Sequence, residues 1–461
     1  MDQALPTNIQ QVRTAFITMN SLNRKLGLIE NLFEILHDLG AMIDVNFARI
    51  EGPLTSNILR QALNLVQKRH PMLQVHLIEL ADGLYFESEG TEEIPLRVID
   101  KQHENQGIEI AEDELHQKFP SGLAPLCRVT FLHSSTSNGI SEIIATFHHA
   151  ITDGMSCMRF FDDLLSYCQQ IAAGDRIAEV VTMQLLPPLE TLLASHLSRN
   201  NNVEETQEQS SQEIQPPKLI IEAEAPASDR RTRLLTRILS KEMTMMLRNR
   251  CRQEETTVHG ALCAAILFGA AKITCADTPI NLSCGSSVNL RKFCEPEVSN
   301  EYMGCLASFT GSILHTLKKK TIFWDLAREC KSKLSNYLDR GISIKQLNSD
   351  ELRQINKHLI LQLANYKMGR SNTVEISNRG EFKFLDKYEY GNLKLKELYF
   401  ATGQHIIGSC FCLGVVTFHQ QLFCRFTHVV PLVSTQTAEL FADSVMDTMQ
   451  KACTSPSLTF Q

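Results

Sequence analysis

The chain has 461 residues, 43% of them hydrophobic and 21% charged, a globular balance that excludes disordered, collagenous and small disulfide-scaffold proteins. Its length calls for two domains. With 45 Lys and Arg against 52 Asp and Glu the net charge is -7, so there is no basic footprint for nucleic acid or anionic lipid and no nucleic-acid partner is expected.

The first residues, MDQALPTNIQQVRTAF, carry neither the charged region nor the apolar run of an export signal. Thr55-Ser56 can cap a helix whose apolar residues Leu59, Ala62, Leu63 and Val66 recur at helical spacing. His70-Pro71 ends it, and the alternation of Leu73, Val75 and Leu77 reads as a strand. Ser141 to Phe147 is a second strand, rich in β-branched and aromatic residues, and Met155, Met158, Phe161, Leu164, Leu165 and Cys168 trace one apolar stripe of a helix. Residues 201–230 are polar and acidic with Pro216-Pro217, and read as a surface linker between an N-terminal lobe, 1–200, and a C-terminal lobe, 231–461.

In the second half, Ser240 caps a helix through Arg252 and Thr256-Thr257 caps another to Lys272. The apolar run Ala261 to Ala271 is about half of the roughly 20 residues a spanning helix needs, so no transmembrane segment is predicted. A strand covers Ile280 to Leu290, a hairpin joins Val415–Phe418 to Leu422–Phe426 around His419-Gln420-Gln421, and Ser434 caps a last helix to Lys451. Helices and strands mix in both halves, which gives an α/β class of α+β type. The fourteen cysteines include no CxxC pair, so they read as reduced buried thiols of a cytoplasmic protein and no metal site is assigned.

Between the strand at Ser141 and the helix near Met155 lies His148-His149-Ala-Ile-Thr-Asp153-Gly154. Consecutive histidines on a continuing strand point to opposite faces, so only one can face a given cleft. Asp153 can cap the following helix, and Gly154 permits backbone conformations closed to residues with a Cβ. A histidine, with an ordinary pKa near 6.5, suits general-base work at a rigid turn. His405, His419 and His428, in strand-like segments, read as surface or satisfied core residues, and Cys127 and Cys157 as inert thiols.

The heptapeptide resembles the HHxxxDG signature of the chloramphenicol-acetyltransferase-like superfamily, which includes peptide condensation domains, polyketide-associated acyltransferases, wax ester synthases and plant BAHD acyltransferases. LNLVQKRHPML (63–73) looks like the family's "RHPxL" helix end, Val288-Asn289-Leu290-Arg291 with Tyr302-Met303-Gly304 like its "vdlR…yfGN" segment, and Ile376-Ser377-Asn378-Arg379-Gly380 like its "vSNxG" segment. The plant DFGWG segment is missing, with Trp324 the only tryptophan. Met155 stands where many condensation domains have tryptophan, and Cys305 replaces the asparagine after Gly304.

The resemblance implies two chloramphenicol-acetyltransferase-like lobes with an active-site tunnel between them. It also implies His149 as general base with His148 in support, Gly154 at the turn, and Asp153 turned from substrate to pair with Arg291. The implied reaction moves an acyl group from a thioester, acyl-CoA or acyl carrier protein, to an alcohol, forming an ester in lipid, polyketide or secondary metabolism. No bound cofactor beyond that co-substrate is expected. The acceptor is a small-molecule alcohol or amine, and a carrier protein is a possible partner. Condensation-type amide formation between carrier-bound substrates, or a non-catalytic carrier-docking protein of the same fold, are the alternatives.

Overall fold

The computed structural model describes residues 23–134, 139–199, 216–274, 278–347, 349–382, 389–455 and 457–460. The N-terminal stretch and linker residues 201–215 lie outside them.

The N-terminal half supplies helices α1 (Leu28–Asp38), α2 (Ser56–Arg69) and α3 (Gly154–Ala173) and strands β1 (Ile43–Glu51), β2 (Leu96–Asp100), β3 (Cys127–His133) and β4 (Ile140–His148). Thr55 caps α2 by accepting from the Ile58 N–H, and the four predicted apolar residues are all buried, because their spacing keeps them on one face. The strand expected at Leu73 starts later, at His76. Pro71, whose fixed φ suits the first position of a helical turn, opens a 3-10 turn over Pro71–Leu73 instead.

The C-terminal half contributes β5 (Arg231–Leu239), α4 (Lys241–Gln253), α5 (Val258–Thr274), β6 (Ile280–Asn289), β7 (Ala307–Phe309), β8 (Ile313–Leu317), α6 (Phe323–Asp339), β9 (Arg370–Glu381), β10 (Leu393–Thr402), β11 (Gly408–Phe418), β12 (Gln421–Val430) and α7 (Thr435–Thr454). Ser240 and Ser434 cap α4 and α7 as expected. A helix apolar all round must be buried on every side. So α5 lies between the sheet and the helices α6 and α7, with Gly260 through Ala271 buried. Among the described residues no single helix is long and apolar enough to cross a membrane. The hairpin turn is tighter than predicted: only His419 and Gln420, at φ of 50° and 62°, separate β11 from β12, the positive-φ geometry of a two-residue turn.

Two sheets organise these elements. One has the order β7-β6-β9-β11-β12-β5, with β8 on the side of β6, and is drawn from the C-terminal half alone. The other places β10 beside β1, followed by β4, β3 and β2. The boundary at residue 231 therefore does not divide the molecule. β10 leaves its own half and pairs antiparallel with β1 from Lys394 opposite Glu51 to Thr402 opposite Asp44. The edge of an N-terminal sheet would otherwise present unpaired main-chain groups. Nor is 216–230 a free linker: Lys218 N–H donates to Asn281 O, Glu222 N–H to Leu432 O, and Ile220 and Arg230 are buried.

Candidate active site

His148 is the last residue of β4 and His149 begins a 3-10 turn, His149–Ile151, so the strand does not continue through both. Their environments still diverge. His149 is half-buried and lines a cavity of about 160 Å³ between the two sheets, walled by α1, the motif turn and strands β9 to β11. Its Nδ1 lies 3.1 Å from the carbonyl oxygen of Thr152, which can only accept. The ring proton therefore sits on Nδ1 and Nε2 carries a lone pair. Phe33 of α1 stacks on the ring at 4.0 Å and 5°, fixing its plane.

His148 is fully buried. Its Nδ1 accepts from the Ala150 N–H at 3.1 Å, so its Nε2–H donates to Glu34 at 2.7 Å. His37 faces the same carboxylate with Nδ1 at 3.4 Å, while its Nε2 accepts from the Phe119 N–H at 2.8 Å. Burial opposes charge on Glu34, but the hydrogen bond from His148 and the close approach of His37 outweigh it and hold the carboxyl down to about 2. Burial pushes His148 down to about 4 despite Glu34. Three ligating atoms here lie within 4.8 Å of one another. Both histidines, however, direct N–H groups at the carboxylate, so the cluster is a hydrogen-bonded clamp on His148 with no free lone pair facing inward.

Asp153 caps α3 through Ser156 N–H, at 2.9 Å, and its other oxygen receives Arg291 Nη1 at 2.6 Å and Leu306 N–H at 3.0 Å. Both residues of the pair are about 1% exposed, a deeper burial than a partly exposed turn would give. Burial works against the charge on Asp153; the Arg291 guanidinium wins and lowers its pKa. Ser156 ties in the rest: its hydroxyl donates to Gly304 O at 3.0 Å, and Arg291 Nη2 donates to Tyr302 O at 3.1 Å. The VNLR and YMG segments thus close on the motif. The RHPML segment does likewise through His70, whose Nε2 meets Asp163 of α3 at 2.7 Å.

Gly154 is needed for space and not for its backbone, since it is absent from the positive-φ glycines. A Cβ there would lie 2.9 Å from Arg379 Cγ and 3.0 Å from its Nε. Arg379, from the ISNRG segment, stacks over Phe400 at 3.5 Å, pairs with Asp44 at 3.3 Å and donates to Asn46. Glu375 also lines the cavity, and burial raises its pKa despite the Ser409 hydroxyl at 3.0 Å.

Sequence reasoning missed Phe33, Glu34, His37, Arg379 and Glu375 as site residues. Phe33, Glu34, His37 and Glu375 carry no local signal, because each reaches the motif across more than a hundred residues of chain, whereas Arg379 stands inside the ISNRG segment, which could have pointed to it. The thirteen described cysteines are all free and twelve are buried. Cys157 donates to Asp44 at 3.1 Å, and burial raises its thiol and that of Cys127. Of the three C-terminal histidines only His419 is satisfied, at 3.3 Å from Leu395 O; both ring nitrogens of His428 and Nδ1 of His405 have no hydrogen-bond partner.

The family model of the condensation domain matches residues 43–277, and that of the phthiocerol/phthiodiolone dimycocerosyl transferase C-terminus matches residues 228–386. Chondramide synthase of Chondromyces crocatus is 24% identical over 132 residues, 27% of this chain and 3% of that protein, so the chain spans a small part of that relative. The fold is similar to that of polyketide synthase associated protein 5 from Mycobacterium tuberculosis, with TM-score 0.65, 16% identity and coverage of 93% and 98% of the two chains. It is also similar to trichothecene 15-O-acetyltransferase from Fusarium sporotrichioides, with TM-score 0.67, 12% identity and coverage of 93% and 95%.

Proposed function

The chain belongs to the condensation-domain family, and from that premise we propose that it is an acyltransferase that carries an acyl group from a thioester to an alcohol, forming an ester. The observation that carries this reading is the proton position on His149: Nδ1–H is committed to Thr152 O, which leaves the Nε2 lone pair for a substrate in the cavity. Nε2 takes the hydroxyl proton as the alcohol oxygen bonds to the thioester carbonyl carbon. Collapse of the tetrahedral species breaks the C–S bond, and the leaving thiolate takes that proton back from His149.

Asp153 and Arg291 act as positioning residues that hold the turn, with His148 clamped behind it. Transfer is direct, without an acyl-enzyme: the candidate thiols Cys127 and Cys157 are buried and raised in pKa, which keeps them protonated. The donor in this proposal is acyl-CoA or an acyl carrier protein, the reaction belongs to cytoplasmic lipid, polyketide or secondary metabolism, and no resident metal or cofactor takes part. The transferase-type match over 228–386 favours the ester product. The condensation match over 43–277 favours the second reading, amide formation between carrier-bound substrates.

An acceptor panel separates the two. Thiol release from acyl-CoA or acyl carrier protein is measured with alcohols and amines at equal concentration of free nucleophile. Release only with alcohols is the expected result; release only with amines moves the protein to the amide branch, and a trapped acyl-cysteine discards direct transfer.

A further inference from the structure

The loop at residues 403–407 has two sides. Gln404 and Ile407 line the His149 cavity, whereas His405 and Ile406 line a separate surface cavity of about 380 Å³ together with His116, Lys118 and Arg231. The groups around this second cavity are one-sided in charge. The rings of His116 and His405 lie 4.3 Å apart. The Thr232 N–H, which can only donate, meets His116 Nε2 at 3.2 Å, closer than the Thr232 carbonyl oxygen at 3.5 Å, and so places the ring proton on Nδ1. That Nδ1 has no partner, and neither has Nδ1 of His405, a residue 5% exposed.

Three guanidiniums act on His405: those of Arg230, Arg231 and Arg370. Among the described residues none of them meets a carboxylate. Arg230 donates to the carbonyls of Ala225, Ala364, Met368 and Ile406 and to the Met368 sulfur. Arg231 donates to the carbonyls of Ser228 and Arg230, and Arg370 to those of Met368, Gln404 and Ser409. Carbonyl dipoles satisfy these donors without cancelling their charge. Arg230 is fully buried and Arg370 is 3% exposed, so water does little to screen them. The anions nearby are engaged, exposed or resisted by burial: Asp38 is shared by Lys118 and Lys357, Glu112 is paired with Arg233, Asp113 is exposed, and Glu375, which acts on Arg370, has its pKa raised by burial.

We propose that this cavity is an anion site that takes a phosphate group, with Arg231 and Lys118 as its charged donors and the His116–His405 pair as its floor. A phosphate fits better than a carboxylate. Its two charges and three or more acceptor oxygens match the two cations that line the cavity, Arg231 and Lys118, together with the ring N–H of His116, where a carboxylate offers two oxygens and one charge. The source is either free inorganic phosphate or a phosphate ester on a larger molecule such as CoA. Occupancy also reaches the histidines. Burial first, then the surrounding cations, pushes His116 down to about 4 and His405 to about 3. A bound dianion opposes that field and raises both histidines from these values. The site stands independently of the reaction assigned to His149.

Calorimetric titration of the full chain with inorganic phosphate, at about pH 8 where the dianion predominates and with chloride as control, tests the proposal. Saturable phosphate binding that is about tenfold weaker or more in Arg231→Glu is the expected result. Arg231 is exposed and its side chain donates only to nearby carbonyls, so this variant keeps the fold, which its melting curve verifies. Competition by CoA but not by pantetheine, which lacks phosphate, assigns the source to a phosphate ester; competition by neither assigns it to free phosphate. Absence of saturable phosphate binding, or equal binding by wild type and Arg231→Glu, overturns the site.

Discussion

His148 and His149 share a peptide bond and divide in everything else. Both ring nitrogens of His148 are saturated, one by the Ala150 N–H and one by Glu34, in a position closed to solvent. His149 spends one nitrogen on Thr152 O and keeps the other open to the cavity. A base needs an unsatisfied lone pair, whereas a buried structural residue is most often saturated. The same residue type thus serves opposite purposes through the hydrogen bonds its position supplies.

The sharpest way to break this contrast is to truncate each ring. His149→Ala is expected to lower turnover by about 10²- to 10⁴-fold while the melting temperature holds. His148→Ala is expected to lose less turnover and more stability, because it leaves the Glu34 carboxylate with His37 alone. Equal loss of turnover from two folded variants would end the division of roles. Next in size is the Asp153–Arg291 pair. Removing either partner strands a buried charge, at a cost of about 3–5 kcal/mol, and the double variant is expected to cost less than the sum. Urea titrations of the four corners of the cycle measure this, and strict additivity would contradict the 2.6 Å contact.

Acid probes the clamp on His148. Its folded pKa, about 4, lies below the ordinary 6.5, so between these values the unfolded chain binds a proton that the folded chain refuses. Stability is therefore full above 6.5 and falls as pH drops through that window, by up to about 1.4 kcal/mol per pH unit for one such histidine. The Glu34 contribution persists to lower pH, being present above 4.5 and lost toward 2. His148→Gln should flatten the pH dependence of the urea midpoint between pH 6.5 and 4 by one histidine's share; an unchanged slope would show that His148 is charged when folded. The smallest expected effect is Gly154→Ala, about 1–3 kcal/mol from crowding the Arg379 stem. Pairing it with Arg379→Ala should recover part of that loss, which thermal melts of the three variants measure.

How much of this was readable in advance follows the range of each interaction. Asp153 as a helix cap, the stripe of α3 from Met158 to Cys168 and the caps Thr55, Ser240 and Ser434 are local, and residue type with spacing was enough to find them. The hairpin was found but its turn was set one residue too long, because His419 and Gln420 take positive φ without the glycine or asparagine that announces such turns. The reason first given for Gly154, backbone freedom, gave way to space for Arg379, a residue 225 positions further along the chain.

By itself the amino-acid sequence determined the helices and strands that bury one periodic face, the strand-turn-helix that carries His149, and through the motif resemblance the pairing of Asp153 with Arg291. Only the tertiary structure decided that β10 crosses to complete the N-terminal sheet, that residues 218–230 pack against the C-terminal half, and that Glu34 completes the saturation of His148 while Phe33 and Thr152 orient His149. The physical reason is that local preferences act within a turn or a pleat, whereas the proton position on a histidine depends on whichever donor and acceptor the fold brings to each ring nitrogen.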